Sequence, residues 1–353
     1  SSSIIALAVG GSLLIAGGGS TLLGPLLDFP PTFRWSGESS LSPTSAALLL
    51  LLGATLLNLA WRENRDGTPG APAWLPVPVV IASATFTFMF WSGLREREAV
   101  YLGTNTQATI NNLASAVSFE MEHQLAVVDR MARRWNADPE FSTPGWDSDA
   151  KLLFDEISGC CAITWISPEH RTERVFPAPG NEGLLSFDHD AVPERKTTLL
   201  QATAKNAPVA SASLTLPPGL RGYVVYCPVT RDGRVAGFVG CEISYQRLFA
   251  ALDRRVKLTG LYHYALSIGN DPVFNAGLGP DDNSPHRLAS VFNLFDRRLR
   301  IEMRPSAENL EHSRRPLPEI ALLAGLGITA LLGLSAHFAR TARTGLREAR
   351  FSN

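Results

Sequence analysis

The sequence predicts an α+β membrane protein with four transmembrane helices and one folded domain outside the membrane. Two observations support this fold class. First, four long segments contain no Asp, Glu, Lys or Arg, although 18% of all residues are charged. Second, between the third and fourth of these segments the pattern changes to a long amphipathic helix and then to short β-rich runs separated by turns, which indicates an antiparallel sheet with helices.

As helices, the four apolar segments are each close to or above the length needed to cross a hydrocarbon core of about 30 Å. They comprise residues 4–27, 45–61, 74–94 and 320–338. Trp74 and Trp91 stand near the two ends of the third segment, where an aromatic belt lies in membrane helices. We therefore predict three spans within residues 1–94 and a fourth span within residues 318–353.

The distribution of arginine predicts the orientation of these spans, because cytoplasmic connections carry more Lys and Arg. Arg62 and Arg65 lie in the second connection, and four more arginines follow the fourth span: Arg340, Arg343, Arg347 and Arg350. We expect an inner-membrane, multi-pass protein with both termini in the cytoplasm. Residues 95–317 then lie on the periplasmic side.

Small residues recur every four positions along the fourth span, at Ala321, Gly325, Thr329 and Gly333. Such a stripe lets another helix approach closely, because packing is the main attraction between helices in lipid. The glycines of the first span support the same interpretation. The alternative is that Gly and Ala are merely common in membrane helices, and the sequence leaves both open.

A long stalk helix is predicted for residues 95–136, which contain no proline. Its apolar residues recur at steps of three and four, which is the period of an amphipathic helix. They are Ile110, Leu113, Val117, Met121, Leu125, Val128, Met131 and Trp135. Asp138-Pro139 is expected to end the helix, and the Ser/Thr/Pro/Gly/Asp-rich residues 142–149 are expected to form a loop.

The remainder of the outer block is predicted to form one antiparallel sheet with helices packed on it. The predicted strands are 160–166, 172–176, 209–216, 221–228, 234–243, 262–268 and 297–304. Asp232-Gly233 predicts a hairpin between the fourth and fifth of them. Helical patterns are present at 192–205 and 244–256.

Three consecutive runs carry a resemblance to a known family: CCAITWISPEHRTERVFPAPGNEG, FDHDAVPERKTTLLQATAKNAPVASASLTL and GYVVYCPVTRDGRVAGFVGCEIS. They resemble the CHASE sensor domain, with its W-I-x-P strand, its P-x-x-G-N-E turn, its Asp-led helix and its G-aromatic-x-x-Y-x-P-V strand. The resemblance covers roughly residues 95–305. It implies a stalk helix with PAS-like sheets, a span on each side, and ligand-gated input to a cytoplasmic signalling domain.

The resemblance also implies a ligand-binding site around the central sheet. Its candidate residues are Trp165, Phe176, Asn181, Glu182, Tyr223 and Tyr226. Two simpler explanations stay open for them. Asn181 stands in a Gly-bounded turn whose backbone favours Asn, and aromatic residues on strands are more often part of a core.

The sequence contains no signature of a catalytic output domain. After the fourth span we find no phosphoacceptor histidine box, no ATP lid and no diguanylate-cyclase or phosphodiesterase motif, so the chain is either a fragment or a sensor module retained without its enzyme. No G-x-S-x-G occurs, and the histidines of the outer block are scattered, so a solvated or capping role is expected for each. We predict no enzymatic activity, no cofactor and no metal.

All four cysteines fall in the predicted outer block, at Cys160, Cys161, Cys227 and Cys241. If that block is periplasmic, disulfides can form there. Three alternatives stay open: buried strand thiols, one or two disulfides, and a metal or catalytic role. None of the four shows the spacing of a metal site.

Two functions from different classes fit these features. The first is a non-catalytic accessory subunit of a larger membrane complex, for example a photosynthetic or respiratory one. The alternative is the ligand-sensing input module of a receptor, such as a sensor histidine kinase or a diguanylate cyclase, whose output domain is missing. The absent output domain favours the accessory subunit. The expected partners are membrane subunits or a second copy of the chain, bound through the spans, and a small-molecule ligand. A net charge of −1 argues against nucleic acid.

Overall fold

A computed structural model gives the fold. It describes residues 2–26, 34–35, 39–40, 42–65, 74–137, 143–217, 219–279, 284, 286–294, 297–313 and 316–351. The helices are α1 (Ser2–Leu26), α2 (Pro43–Arg65), α3 (Pro76–Ala137), α4 (Thr143–Glu156), α5 (Pro193–Lys205), α6 (Tyr245–Val256), α7 (Ala307–Ser313) and α8 (Leu317–Phe351). The strands are β1 (Arg34–Trp35), β2 (Ser39–Ser40), β3 (Cys160–Ile166), β4 (Thr172–Phe176), β5 (Val209–Ala210), β6 (Leu214–Leu216), β7 (Leu220–Arg231), β8 (Arg234–Ser244), β9 (Tyr262–Ile268), β10 (Asp271–Ala276), β11 (Leu288–Leu294) and β12 (Arg297–Pro305).

The chain divides into two compact units. The first comprises Ser1–Leu102 and His312–Asn353, and the second comprises Gly103–Glu311. The first unit contains long apolar helices, and the second contains antiparallel sheets with helices. The α+β fold class predicted from the sequence is therefore confirmed.

Four helices of the described residues are long and apolar enough to cross a membrane, judged by length and hydropathy. Their apolar stretches overlap the four segments that the sequence predicts as spans. Many of their large apolar side chains are exposed, including Leu48, Phe88 and Leu323. Exposed apolar area of this extent is unfavourable in water, which agrees with a lipid environment for these faces.

Close contacts between small residues hold the first unit together. A Cβ added at Gly11 of α1 would lie 2.8 Å from the Gly53 carbonyl oxygen of α2, and one added at Gly53 would lie 2.6 Å from the Gly11 carbonyl oxygen. The two backbones can approach this closely only because both residues are glycine.

The predicted stripe of α8 faces α3 at three of its four positions. The Thr329 hydroxyl is hydrogen-bonded to the Ser83 hydroxyl at 2.8 Å. A Cβ at Gly325 would collide with the Thr87 side chain, and one at Gly333 would lie 2.8 Å from Val80 Cγ2. The stripe thus has a partner helix within the chain, whereas an intermolecular role for it stays a prediction.

In the second unit, α3 presents the apolar face that the sequence predicts. Seven of the eight periodic residues are buried in the main core, and Leu125 packs against it partly buried. Trp146 and Ala150 of α4 are buried in the same core. The prediction of a loop over 142–149 is wrong, because Trp146, Ala150 and Leu153 form the apolar face of α4. Pro144 fits there, since a proline in the first turn of a helix costs no hydrogen bond.

The strands form two sheets in this unit, whereas the sequence predicted one. The larger sheet has the order β4-β3-β8-β7-β5, with β6 also paired to β7, and the smaller has the order β10-β9-β12-β11. All paired strands within both sheets are antiparallel. The predicted strand 209–216 is interrupted and forms β5 and β6. Strands β10 and β11 were not predicted from the sequence. Strand β10 begins with Asp-Pro, and β11 has apolar residues on both of its faces, such as Val291 and Phe292, so neither shows a clear alternation.

The predicted hairpin between β7 and β8 is confirmed. Arg231 pairs with Arg234 across the turn, and Asp232 and Gly233 have φ angles of 48° and 75°. Positive φ at both central residues is the requirement of a type I′ turn, which Asp-Gly meets with little strain. The hairpin fixes the register of β7 against β8, and this register places the residues of the site described next.

Candidate functional site

The two faces of β7 belong to two different cores. Tyr223, Val225 and Cys227 face the main core, which α3 covers. Val224 and Tyr226 face a second core, which contains Leu199 and Ala202 of α5. Because side chains alternate along a strand, one strand contributes to both cores. The second core contains a buried group of charged and polar side chains, which we call the polar cluster: Thr172, His189, Arg195, Tyr226 and Glu242.

The polar cluster is centred on an ion pair between α5 and β8. Arg195 donates to Glu242 through two nitrogens, with N–O distances of 2.5 and 2.9 Å. Each side chain has only 1% of its surface exposed. The Arg195 guanidinium also lies 5.1 Å from the centre of the Phe187 ring. Two buried charges are tolerated here because they pair in a bidentate geometry.

A chain of hydrogen bonds extends from this ion pair to β4. Arg195 donates to the Tyr226 hydroxyl at 3.0 Å, and that hydroxyl lies 2.8 Å from His189 Nδ1. His189 Nε2 lies 2.8 Å from the Thr172 hydroxyl. Since the hydroxyl oxygen of Tyr226 accepts from Arg195, its proton is available to His189 Nδ1, and Nε2–H then donates to Thr172.

The buried surroundings decide the charge states of the cluster. Burial lowers the pKa of His189 to about 3, with the Arg195 charge as the next largest cause, so the imidazole is neutral at physiological pH. Burial lowers the pKa of Arg195, but Glu242 and Tyr226 raise it by more, and the net pKa lies above the ordinary value. Burial also raises the pKa of Tyr226. The cluster therefore contains one cation, one anion and neutral hydrogen-bonding groups.

Local sequence explains why these side chains meet. Arg195, Thr198, Leu199 and Ala202 form the buried face of α5 at helical spacing. Glu242 lies on the central strand β8, opposite Ala162 of β3 and Val224 of β7. Gly240, beside Tyr226 on the same sheet, leaves space for the Thr164 hydroxyl, because a Cβ at Gly240 would collide with it.

The turn that carries His189 closes over the cluster. The Asp188 carboxylate accepts from the Asp190 backbone N–H at 3.0 Å and from Arg171 at 3.0 Å. On the outer side, His170 Nδ1 lies 2.8 Å from the Asp190 carboxylate. These partly exposed bonds tie the turn to the connection between β3 and β4. The cluster is thus covered by a short segment that is held by hydrogen bonds and ion pairs near the surface.

The structure does not bring the six sequence-predicted site residues to one place. Tyr226 belongs to the polar cluster. Trp165 packs edge-on against Trp135 of α3, with ring centres 5.5 Å apart, and Tyr223 donates to Gln124 of α3. Both lie on the opposite face of the sheet, so they cannot share a ligand with Tyr226 in this fold.

The other three predicted residues lie at or near the turn after β4. Phe176 packs on Phe154 with ring centres 5.9 Å apart. Asn181 is buried, and its side-chain amide donates to the carbonyl oxygens of Cys161 (3.2 Å) and Pro177 (3.0 Å). Glu182 is exposed and accepts from the Gly180 backbone N–H at 3.0 Å. These contacts give the Asn181 side chain a structural role in the turn.

Sequence reasoning missed four members of the cluster: Thr172, His189, Arg195 and Glu242. The expectation that His189 is solvated or a helix cap is wrong, since the side chain is fully buried. A signal for the ion pair was present, because Glu242 is a lone acid within the apolar strand VGCEIS and Arg195 precedes Leu199 and Ala202 on one helical face. No local signal identified His189.

The four cysteines are free and buried in the structure. Cys160 of β3 and Cys241 of β8 have their sulfur atoms 3.6 Å apart. The Cys227 sulfur lies 3.8 Å from an Asp129 carboxylate oxygen. Among the residues that the structure describes, no three His, Cys, Asp or Glu side chains are grouped as a metal site.

A small cavity of about 100 Å³ lies between α3 and α4. Its charged lining residues pair with each other, since Arg130 contacts Glu156 and Arg134 contacts Asp149, both at 2.7 Å. These pairs neutralise the charged lining of the cavity.

One protein-family model matches the part of the chain that contains the cluster. The CHASE domain family model matches residues 162–273, a range that contains all five cluster residues. No curated protein matches the chain.

Several solved sensor structures are similar at low identity. An extracellular ligand binding receptor from Desulfohalobium retbaense DSM5692 aligns over 55% of this chain and 38% of its own, with 12% identity and a TM-score of 0.44. The ligand-binding domain of a Pseudomonas aeruginosa PAO1 amino acid chemoreceptor, in complex with GABA, aligns over 57% and 97%, with 15% identity and a TM-score of 0.40. That of a Campylobacter jejuni chemoreceptor, in complex with 4-methylisoleucine, aligns over 62% and 95%, with 11% identity and a TM-score of 0.45.

These TM-scores lie below 0.5, so the likenesses decide neither the ligand nor the function of this chain. The family model carries the identification instead. It covers the segments in which the sequence resembles a sensor domain, from within β3 to within β10. The resemblance to the CHASE domain is thereby confirmed for residues 162–273.

Proposed function

We propose that this chain is the ligand-sensing input module of a transmembrane signalling receptor. The single observation that carries the proposal is the match of residues 162–273 to the CHASE domain, within which a buried ion pair and its hydrogen-bond chain lie beneath α5. The response comes from an output enzyme, such as a histidine kinase or a diguanylate cyclase, in a partner or in a further domain.

The family match favours this function over the accessory subunit of a membrane complex. The accessory function rested on helix surfaces that need partners and on the absence of an output domain. Gly11 and Gly18 of α1 pack against α2, and Gly325 and Gly333 of α8 pack against α3. They therefore give no specific support to an accessory role.

We place the second unit outside the cytoplasm and the helices α1, α2, the apolar start of α3 and the apolar start of α8 in the inner membrane. Two features support this arrangement: the hydropathy and length of the four helices, and the arginines at 62, 65 and 340–350. Both termini are then cytoplasmic.

The ligand site of the proposal is the polar cluster. It contains a guanidinium, a carboxylate, an imidazole and two hydroxyls, all buried and all paired with each other. A small polar molecule that enters beneath the His189 turn exchanges these internal contacts for its own. Since Arg195 and Glu242 satisfy each other before binding, the empty site is stable, and ligand binding changes the position of α5 relative to β8.

Strand β7 supports a route from this site to α3. Tyr226 lies in the cluster, and Tyr223, three residues earlier on the same strand, donates to Gln124 of α3 on the other face. Gln124 also donates to the Ser158 carbonyl oxygen at 3.1 Å. A shift of β7 on ligand binding therefore acts on a buried polar contact of the helix whose earlier residues 76–94 are apolar.

Labelling with a membrane-impermeant maleimide tests the arrangement in spheroplasts. We expect a Glu182→Cys variant to be labelled in intact spheroplasts, because Glu182 is exposed on the second unit. A Glu63→Cys variant should be labelled only after permeabilisation. The native cysteines are buried and give a low background. The reverse pattern of labelling excludes the proposed orientation.

Thermal-shift measurements on the full chain in detergent test the site. The probes are a panel of amino acids, nucleobases and small carboxylates, each tested at increasing concentration. A ligand at 100 times its Kd stabilises the folded state by about 2.7 kcal/mol. We expect an active compound to lose its effect in Tyr226→Phe and to keep it in the matched variant Tyr223→Phe. Equal shifts in the wild type and Tyr226→Phe would place the ligand elsewhere.

A further inference from the structure

The strands β3 and β8 bring two thiols into contact in the main core of the second unit. The sulfur atoms of Cys160 and Cys241 are 3.6 Å apart, although the residues are 81 positions apart in the sequence. Antiparallel pairing of Ile163 with Cys241 and of Cys160 with Ile243 sets this proximity. A bulge between Cys160 and Ala162 alters the spacing of β3 at this point.

The other two cysteines have different neighbours. The Cys161 sulfur is 3.7 Å from the Gly159 carbonyl oxygen, and the Cys227 sulfur faces Asp129. A disulfide requires sulfur atoms that can close to about 2.05 Å and Cβ atoms about 3.5–4.5 Å apart. Sulfur atoms already in van der Waals contact need only a small movement, which distinguishes Cys160 and Cys241 from the other combinations.

We propose that Cys160 and Cys241 are the pair that oxidation joins, so that a disulfide links β3 to β8 one residue from the cluster residue Glu242. For its occurrence in the cell, the inference rests on the proposed placement of this domain outside the cytoplasm, since disulfides persist in oxidising compartments. The sequence left all pairings of the four cysteines open, and the strand register selects this one.

The chemistry is thiol–disulfide exchange with glutathione disulfide or with the disulfide of an oxidoreductase. With glutathione disulfide, one cysteine thiolate attacks its S–S bond and releases one glutathione thiol. The second cysteine then attacks the mixed disulfide, forms the Cys160–Cys241 bond and releases the second glutathione. Two electrons pass from the cysteine sulfurs to glutathione disulfide. The two protons of the cysteine thiols end on the two glutathione thiols that are released.

Burial determines when this exchange can occur. The exposed fraction is 6% for Cys160 and 0% for Cys241, so an external disulfide reaches them only before the sheet closes or when it opens locally. Burial also raises the pKa of Cys241, which keeps the thiolate scarce in the closed fold. Once formed, the bond is protected from reductants for the same reason.

The first experiment uses the purified full chain in detergent, reduced and then incubated with glutathione disulfide near the onset of thermal unfolding. Free thiols are counted by alkylation after denaturation, and cross-linked peptides are identified by mass spectrometry. We expect two free thiols and one cross-link to Cys241. Four free thiols, or a cross-link between another pair, would overturn the inference.

Two variants resolve an ambiguity in this mapping. Trypsin leaves Cys160 and Cys161 on one peptide, because no Lys or Arg lies between Lys151 and Arg171. We expect Cys161→Ala to retain the cross-link and Cys160→Ala to lose it. If Cys160→Ala does not fold, the double variant Cys161→Ala/Cys227→Ala contains only the proposed pair, and failure of that variant to cross-link equally overturns the inference.

The second experiment separates the pairing from the location of the domain. The chain is isolated from membranes after thiols are blocked with N-ethylmaleimide in the intact cells. A Cys160–Cys241 link in this sample supports both proposals. A link that forms in vitro but is absent in this sample supports the pairing and contradicts the outer placement. We expect reduction of the linked chain to lower Tm by on the order of 10 °C.

Discussion

The two faces of the larger sheet bury different kinds of side chain. The face toward α3 is covered mainly by apolar and aromatic residues, with polar contacts between Tyr223 and Gln124 and between Cys227 and Asp129. The face toward α5 buries a complete ion pair and a neutral histidine. An apolar face gains stability from burial itself, whereas the polar face is stable only while every partner is in place. The polar face is therefore the one that a small polar molecule can perturb.

The largest test of this comparison removes one half of the ion pair. Arg195→Met leaves the Glu242 carboxylate buried without its two hydrogen bonds, and we expect a loss of about 3–5 kcal/mol in the free energy of unfolding. The matched control is Arg195→Met combined with Glu242→Met, which replaces both charges and should recover most of that loss. Chemical denaturation of the full chain in detergent measures both. Equal stability of the single and double variants would show that the pair is not a coupled unit.

The second test uses pH, through His189. Its pKa is about 3 in the folded protein, against about 6.5 in an unfolded chain. Below pH 6.5 the unfolded state binds a proton that the folded state does not, so stability decreases as pH falls, by about 1.4 kcal/mol per unit. Between pH 6.5 and 4.5 we expect a loss of about 2–3 kcal/mol.

The matched variant for this test is His189→Gln, which has no titratable group and retains hydrogen-bonding capacity. Its free energy of unfolding should depend less steeply on pH over the same interval. An unchanged slope would mean that His189 is protonated in the fold or that another group dominates. The apolar face contributes no buried neutral histidine among the described residues, so this pH dependence belongs to the polar face.

The smallest test compares two tyrosines on the same strand. Tyr226→Phe removes the hydroxyl that accepts a hydrogen bond from Arg195 and donates one to His189. We expect the free energy of unfolding to fall by about 2 kcal/mol. Tyr223→Phe removes one contact with Gln124 and should cost about 1 kcal/mol. Parallel unfolding curves of the two variants make the comparison. A larger loss of stability for Tyr223→Phe would contradict the conclusion that the face toward α5 depends more strongly on its polar contacts.

Much of the fold was predictable because it depends on local periodicity. The face of α3 that includes Ile110 and Val117 is buried as the helical spacing predicts, and Asp232-Gly233 forms the expected hairpin. The error at 142–149 has a physical cause, since turn-forming residues outweighed a single tryptophan. Trp146 forms an apolar face only together with Ala150 and Leu153, which lie beyond the Thr-Pro-Gly start of the helix.

The candidate site was less predictable, because its partners come from distant segments. Tyr226 was identified through the resemblance, but Arg195 and Glu242 are 47 residues apart. Each has a local signal of burial, yet neither signal identifies the other residue as its partner. Their pairing depends on the register of β8 between β3 and β7 and on the side of the sheet on which α5 packs. Neither this register nor the packing side of α5 can be read from a local sequence pattern.

The amino-acid sequence by itself determined the division of this protein into apolar helices and an α+β domain, the main strands of that domain, and its resemblance to a sensor family, because hydropathy and short motifs are local properties. The tertiary structure decided which face of each strand meets α3 and which meets α5, and so joined Arg195 to Glu242, Tyr226 to His189, and the sulfur of Cys160 to that of Cys241. The physical reason is that alternation assigns residues to two faces of a sheet, while only packing determines what covers each face.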